Sequence, residues 1–193
     1  MTMGNPDKHR WPREIAWPLA VALMDELSPA CERIIIAGSL RREKPTVGDI
    51  ELLYIPAIRN LPNHASLFAE DVPTNLADLV IERLEKQRVL SRRVSAAGHT
   101  AFGEKNKLML HHPTGIPVDL FSTTEEAFEN YLVCRTGPAE LNVAICDAAI
   151  ERGWKWAPYG IGFVRPDQPP LVVKKERDVF EYVGLPYREP NQR

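Results

Sequence analysis

Apolar residues recur along this 193-residue chain with two periods, one typical of helices and one typical of strands. Residues 13–28 carry an aliphatic side chain at every fourth position, from Ile15 to Leu27, and this spacing predicts an amphipathic helix. The isoleucines of 34–36 predict a short buried strand. Apolar and polar residues then alternate from Asp49 onwards, which predicts a second strand directly after the first.

Later helices are predicted where apolar positions repeat at helical spacing between proline, glycine and polar residues. They are residues 76–87, 125–133, 139–152 and 175–183. In the first of these helices, Leu79, Val80 and Leu84 are expected to face inward.

Strands and loops fill the intervals between these helices. A short strand is predicted around 89–94, and hairpins are predicted for 107–121 and 154–164. The proline-bearing stretches 56–74 and 165–170 are predicted to be loops. Strands mixed with helices in this order predict an α+β protein with a mixed sheet and a small C-terminal α/β part.

Composition narrows the class of protein. With 44% hydrophobic residues the chain can bury a core, and its net charge of −2 gives no overall basic field. The three cysteines lack Cys-x-x-Cys spacing and cannot all pair, which favours a reducing compartment. Apolar runs are far shorter than a membrane span needs. We expect a cytoplasmic monomer that does not enter a membrane.

Residues 33–55 contain the first group of residues with a chemical signature. Gly38-Ser39 ends the isoleucine strand and opens a turn or short helix. Backbone N–H groups at such a turn, with a hydroxyl and the cations Arg41 and Arg42 beside them, are typical of a phosphate-binding cradle.

Carboxylates follow this cradle. Asp49 and Glu51 lie two residues apart on one face of the predicted strand, and hard oxygen ligands of this kind suit Mg²⁺. Asp119, in the second strand of the 107–121 hairpin, offers the third carboxylate that a two-metal site needs. A strand–turn–strand with a solvated charged face is the plainer interpretation. We favour nucleotidyl transfer, because cradle and acid pair follow each other within fourteen residues.

Arg88, Arg92 and Arg93 form the densest basic cluster in the chain. They flank the short strand predicted around 89–94. Contacts to a DNA phosphate backbone and an ordinary solvated face are equally compatible with this pattern.

Taken together, the chain resembles the family X, or polymerase beta-like, DNA polymerases over roughly residues 30–190. The motifs that carry the resemblance are Gly38-Ser39-Leu40-Arg41-Arg42, Gly48-Asp49-Ile50-Glu51, Val118-Asp119-Leu120-Phe121, Thr136-Gly137, Asn142, Tyr159-Gly160 and Tyr187-Arg188-Glu189-Pro190. The resemblance is to reduced members of the family. It implies a nucleotidyltransferase palm over 1–122 and a thumb-like, nucleotide-selecting subdomain over 123–193.

The resemblance also implies roles for individual residues. Asp49, Glu51 and Asp119 would be the catalytic metal ligands, with Mg²⁺ as cofactor and Mn²⁺ as a possible substitute. The residues implied to hold the incoming nucleotide are Gly38, Ser39, Arg42, Gly48, Thr136, Gly137 and Asn142. In the family the peptide after the glycine of Thr136-Gly137 is cis.

Departures from the family pattern fall close to these residues. Glu51 replaces a second aspartate and resembles the Asp-x-Glu of kanamycin nucleotidyltransferase. Cys134-Arg135 replaces an aromatic pair, and Cys146 replaces an arginine. Pro117 stands where an arginine usually orients the third carboxylate.

The first functional hypothesis is a Mg²⁺-dependent DNA polymerase that adds a dNMP to a primer 3′-OH in gap filling or repair. Its partners would be a dNTP and primer/template or gapped DNA. The second hypothesis is nucleotide transfer to a hydroxyl of a small molecule or a protein. The third is a degenerate palm that binds nucleotide or DNA without chemistry.

Overall fold

The computed structural model describes residues 9–62, 70–94, 98 and 100–193. The helices in these ranges are α1 (Arg13–Leu27), α2 (Gly38–Arg41), α3 (Leu76–Lys86), α4 (Glu125–Thr136), α5 (Ala139–Glu151) and α6 (Glu176–Val183). The strands before residue 95 are β1 (Trp11–Pro12), β2 (Cys31–Ile36), β3 (Thr46–Val47), β4 (Ile50–Pro56), β5 (Ile58–Leu61), β6 (Val72–Asn75) and β7 (Leu90–Arg92). The later strands are β8 (Asn106–His111), β9 (Pro117–Ser122), β10 (Lys155–Ala157), β11 (Gly162–Arg165) and β12 (Gln168–Val172).

A five-stranded mixed sheet forms the larger part of the molecule, with strand order β2-β4-β9-β8-β7. Strands β4 and β9 run parallel, whereas the other neighbours are antiparallel. The predicted α+β class with a mixed sheet is therefore confirmed. The parallel pair matters for function, because it brings two distant segments of the chain side by side in register.

The two faces of this sheet are covered differently. On one face, Leu52 and Val118 belong to a core that also contains Ala20 of α1 and Ile81 of α3. On the other face, α4 contributes Phe128 to a smaller cluster near one end of the strands. Glu51 and Asp119 lie on this second, less covered face, because strand neighbours alternate between faces.

Residues from Val133 onwards build a second apolar core. Helices α4, α5 and α6 pack around the three-stranded sheet β10-β11-β12. Trp156 and Phe163 are buried there against Ile145 of α5. Asn130 connects α4 to β10, since its side-chain oxygen accepts a hydrogen bond from the Trp156 indole at 2.7 Å.

The two loop predictions are wrong where the structure describes them. Within 56–74, β5 pairs antiparallel with β6, and residues 63–69 lie outside the described part of the chain. Within 165–170, β12 begins at Gln168 and pairs with β11. Pro73 of β6 and Pro169 and Pro170 of β12 lie on edge strands, where proline is tolerated.

Inward-facing positions on two helices also differ from the prediction. Ile15 of α1 is 52% exposed and Leu79 of α3 is 44% exposed, whereas Ala16 and Ala20 are buried. Strict four-residue spacing drifts around a helix by about 40° per step, because one turn holds 3.6 residues. In the described ranges, the helices are too short or too polar to cross a bilayer.

Candidate active site

Acidic side chains from two strands line up across the sheet. Glu51 of β4 is the direct neighbour of Asp119 of β9 in the parallel register. Asp49 precedes β4 by one residue and lies two residues before Glu51, which places it on the same side. The three carboxylates predicted from sequence are therefore neighbours on one face.

Glu51 faces the turn that follows β2. Gly38 has φ = +62°, and a Cβ built there would lie 1.9 Å from Oε2 of Glu51. Only glycine fits this position without displacing the carboxyl group, which explains the Gly-Ser sequence at the start of α2.

The electrostatic environment of Glu51 disfavours its charge. Burial and the carboxylates of Asp49 and Asp119 raise the pKa of Glu51 to about 8, while the guanidinium groups of Arg135 and Arg42 act in the opposite direction. A buried carboxyl group with acidic neighbours is a place where a cation would be stabilised.

Asp119 has an arginine partner that directly follows β7, the far strand of the sheet. Nη2 of Arg93 donates to Oδ1 of Asp119 at 2.6 Å. The side chains are 29% and 14% exposed, so the pair is largely shielded from water. Arg93, predicted from sequence as a DNA contact, therefore lies beside one of the three carboxylates.

Arg42, predicted to hold phosphate, lies at the junction of the two cores. Its Nη1 donates to the carbonyl oxygen of Thr136, and its Nε has no hydrogen-bond partner within the described structure. Burial lowers the pKa of Arg42, and the carboxylates of Glu51 and Glu140 oppose this shift. The cation is therefore enclosed near acidic groups, and its buried Nε–H is unsatisfied among the described residues.

Arg41, which was predicted to flank the phosphate cradle, has partners within the protein. Its guanidinium pairs with Glu176 of α6, and its Nη1 donates to Oγ1 of Thr136 at 2.6 Å. Arg193 donates to the same Glu176 at 3.0 Å. The Arg41 guanidinium is therefore held between Thr136 and Glu176.

The remaining predicted nucleotide residues lie around α2 and the α4–α5 turn. Ser39 is half-buried within α2, and Gly48 is buried directly before Asp49. Gly137 has φ = +64° and its peptide bond to Pro138 is cis, in agreement with the resemblance. Asn142 donates to the Cys134 carbonyl at 2.9 Å, and its Oδ1 is buried without a protein partner among the described residues.

The other two arginines of the basic cluster are at the surface. Arg88 is exposed in the turn before β7. Arg92 pairs with Glu85 at 3.0 Å and lies over the ring of Phe102. Neither side chain is brought to the three carboxylates.

Arg135 is a functional candidate that sequence reasoning singled out only as a departure. Its guanidinium lies 3.6 Å from the ring centroid of Phe121 and donates to the Tyr131 hydroxyl at 3.1 Å. It also counteracts the negative charge around Glu51. In the sequence, the only indication of a role was the position of Arg135 one residue before Thr136-Gly137. Its contacts with Phe121 of β9 and Tyr131 of α4 appear only in the folded chain.

The donor chemistry of the acid group fits Mg²⁺, since carboxylate oxygens are its usual protein ligands. Across the described ranges, however, no three acidic, histidine or cysteine side chains already converge around a point that an ion could occupy. Asp119 accepts a hydrogen bond from Arg93. The described residues therefore include the carboxylates that a metal site needs, but these carboxylates do not yet surround one point.

Sequence comparisons find similarity to DNA polymerases. The family model described as DNA polymerase beta thumb matches residues 131–193. A DNA polymerase/3′-5′ exonuclease PolX from Bacillus subtilis (strain 168) is 27% identical over 157 residues, which cover 81% of this chain and 23% of the relative. The Repair DNA polymerase X of African swine fever virus is 26% identical over 165 residues, which cover 84% of this chain and 82% of that protein. The chain thus spans less than a quarter of the Bacillus relative.

Structure comparison also finds similarity to a DNA polymerase. The Leishmania infantum polymerase beta, solved as a ternary P/T complex, matches with a TM-score of 0.72 and 20% sequence identity. The match covers 96% of this chain and 77% of the solved chain. At this identity the match shows the shared fold.

Proposed function

We propose that this chain, which is similar to family X DNA polymerases, is a DNA nucleotidyltransferase that adds a dNMP to a primer 3′-OH in gap filling or repair. The observation that carries the proposal is the register of β4 and β9, which makes Glu51 and Asp119 neighbours next to Asp49. The proposal is also supported by similarity to proteins named as DNA polymerases, one of which is a repair DNA polymerase.

In this proposal, Asp49, Glu51 and Asp119 would hold Mg²⁺. The metal, when bound, would supply charge neutralisation at the phosphoryl group and help activate the attacking hydroxyl. The three carboxylates orient the reactants and provide the negative charge that attracts the cation. Glu51, with its pKa raised to about 8 by burial and by its acidic neighbours, would give up a proton as the site is loaded.

Nucleotide binding would use the junction between α2 and the α4–α5 turn. Arg42 has an Nε without a hydrogen-bond partner among the described residues, and a triphosphate oxygen would satisfy it. The Thr136-Gly137 turn, bonded to Arg42, would lie against the sugar. Asn142 would offer its side chain to the base. We place the palm in 1–122 and the nucleotide-selecting part in 123–193.

Transfer to a hydroxyl of a small molecule or a protein is the second candidate. Two observations favour it: the longer acid Glu51 in the second position, and a net charge of −2, which gives weak attraction for DNA. A palm without chemistry ranks third, because all three positions remain acidic.

Primer extension separates these candidates. The protein is incubated with one-nucleotide-gapped DNA, each dNTP in turn and Mg²⁺ or Mn²⁺, with an untemplated primer as the comparison. The proposal expects addition of one nucleotide to the gapped primer, at a rate that falls to background in EDTA. Absence of extension, together with transfer of labelled AMP to a small hydroxyl acceptor, would favour the second candidate.

A further inference from the structure

The strand register places an arginine in line with the acid pair. Arg93 follows β7, and its N–H donates to the Leu108 carbonyl of β8 at 2.9 Å. Leu108 is the direct neighbour of Asp119, which is in turn the neighbour of Glu51. Residues opposite one another in a sheet point to the same face. Arg93 therefore lies on the acid face, two strands from Asp119.

A long side chain is needed to cross that distance. The guanidinium of Arg93 reaches over the β8 strand and donates to Oδ1 of Asp119 at 2.6 Å. Its Nε is buried and makes no hydrogen bond within the described structure. Burying a donor without a partner is costly, so the contact with Asp119 is the interaction that justifies the position of this side chain.

We propose that Arg93 is a positioning residue for Asp119. It fixes the direction of this carboxylate on the face that Asp119 shares with Glu51, so that the carboxylate would be ready to bind a cation near the primer 3′-OH, a role that rests on the function proposed above. A carboxylate has about four lone-pair sites, so it can accept from a guanidinium and still bind a cation. Groups that hydrogen-bond a ligating carboxylate fix its direction, and their loss typically lowers metal affinity or activity about 10–100-fold.

This role differs from a DNA phosphate contact in ways that can be measured. Removal of a phosphate contact lowers DNA affinity in EDTA and reduces the salt slope by about one unit. Removal of a positioning residue leaves the salt slope unchanged and raises the metal concentration needed for half-saturation. Arg93→Lys retains the charge but loses the planar fork, so its metal affinity should fall between those of the wild type and Arg93→Ala.

The test is a Mn²⁺ titration followed by electron paramagnetic resonance, without DNA, on the full chain. The variants are Arg93→Ala, Arg93→Lys and Asp119→Ala. Arg83→Ala is the matched control, because Arg83 forms an exposed pair with Glu26 outside the site. We expect Arg93→Ala to weaken Mn²⁺ binding about 10–100-fold, with Arg83→Ala unchanged. Circular dichroism of each variant establishes that it is folded.

Several results would overturn the inference. Unchanged or tighter Mn²⁺ binding by folded Arg93→Ala, while Asp119→Ala weakens it, would show that Arg93 does not position the carboxylate. A fall in the DNA salt slope without a change in Mn²⁺ binding would assign Arg93 to the DNA backbone. Absence of Mn²⁺ binding by the wild type would contradict both proposals. Wild-type Mn²⁺ binding that depends on Arg93, without primer extension, would refute only the polymerase function.

Discussion

At the residue scale, the packing of Gly38 against Glu51 links backbone conformation to the chemistry of the site. The positive φ of Gly38 lets the chain pass next to the carboxyl group without a side chain between them. The same closeness holds Glu51 in a poorly solvated place. The missing side chain of Gly38 therefore leaves the space that the Glu51 carboxyl group occupies.

Gly38→Ala should lower nucleotide incorporation more than it lowers stability. The added methyl would meet Oε2 of Glu51 at 1.9 Å, and the carboxyl group would move because it ends a flexible side chain. The backbone strain of about 1–2 kcal/mol should lower Tm by a few degrees. Gly103→Ala is the control, since a Cβ there meets nothing within 4 Å. Equal activity of the two variants would contradict the role of Gly38.

Glu51 should make the metal-free protein less stable as pH rises. Its folded pKa of about 8 lies above the unfolded value, so its stabilising contribution is full below about pH 4 and is lost as pH rises through 8. Glu51→Gln should therefore raise Tm in EDTA at pH 8.5 by several degrees and change it little at pH 4.5. Glu151→Gln, at the exposed end of α5, is the control.

Thermal unfolding at the two pH values, with and without Mg²⁺ and a dNTP, measures this effect. The ligands should narrow the difference between Glu51→Gln and the wild type at pH 8.5, because they offset the charge of Glu51. A Tm difference independent of pH would contradict the assigned titration.

At the scale of elements, α2 joins the two cores. Arg41 and Arg42 both reach Thr136, at the end of α4, and Arg41 also reaches Glu176 of α6. A short helix next to the predicted phosphate site is thus bonded to the turn predicted to contact the sugar. Movement of one should be transmitted to the other.

Glu176→Gln should destabilise the protein more than the loss of an ordinary ion pair. Glu176 accepts from two arginines, and the Arg193 side chain is fully buried. Loss of one partner of a buried pair costs about 3 kcal/mol, equivalent to a Tm decrease of about 6–12 °C for a chain of this size. Glu26→Gln, in an exposed pair with Arg83, should change Tm by no more than about 4 °C. Similar decreases in both variants would contradict the structural role of Glu176.

The position of a side chain can be predicted from sequence when it depends on residues nearby in the chain, and not when it depends on contacts between distant segments. The acids Asp49 and Glu51 could be placed on one face because two residues in a strand obey a fixed period. The partner of Arg41 could not be predicted, because Glu176 lies 135 positions away and the contact depends on how the two cores dock. The bond between Arg93 and Asp119 could not be predicted either, because it depends on the order of β7, β8 and β9 in the sheet.

At the scale of the whole molecule, charge sets how DNA can be held. There are 24 cationic and 26 acidic side chains, and three of the acids line the proposed site. Such a surface repels phosphates unless a divalent cation inverts the local field. Binding of DNA is therefore expected to depend on metal and nucleotide.

DNA affinity should be weak in EDTA, and it should rise markedly when Mg²⁺ and a complementary dNTP are both present. The nucleotide would bridge Arg42 and Asn142 to the primer end. Fluorescence anisotropy with gapped DNA and a dideoxy-terminated primer measures binding in EDTA, in Mg²⁺ and in Mg²⁺ plus dNTP. Equal affinity in the three conditions would contradict the dependence on metal and nucleotide.

Single-turnover incorporation by Asp119→Asn addresses the acid group itself. Asparagine keeps an oxygen that can accept from Arg93, so the fold should be retained while the negative charge is lost. With wild-type protein, gapped DNA, a complementary dNTP and Mg²⁺, we expect incorporation of one nucleotide. The folded Asp119→Asn variant should show none above background. Incorporation by Asp119→Asn at the wild-type rate would show that the aligned carboxylates of β4 and β9 are not the reaction centre.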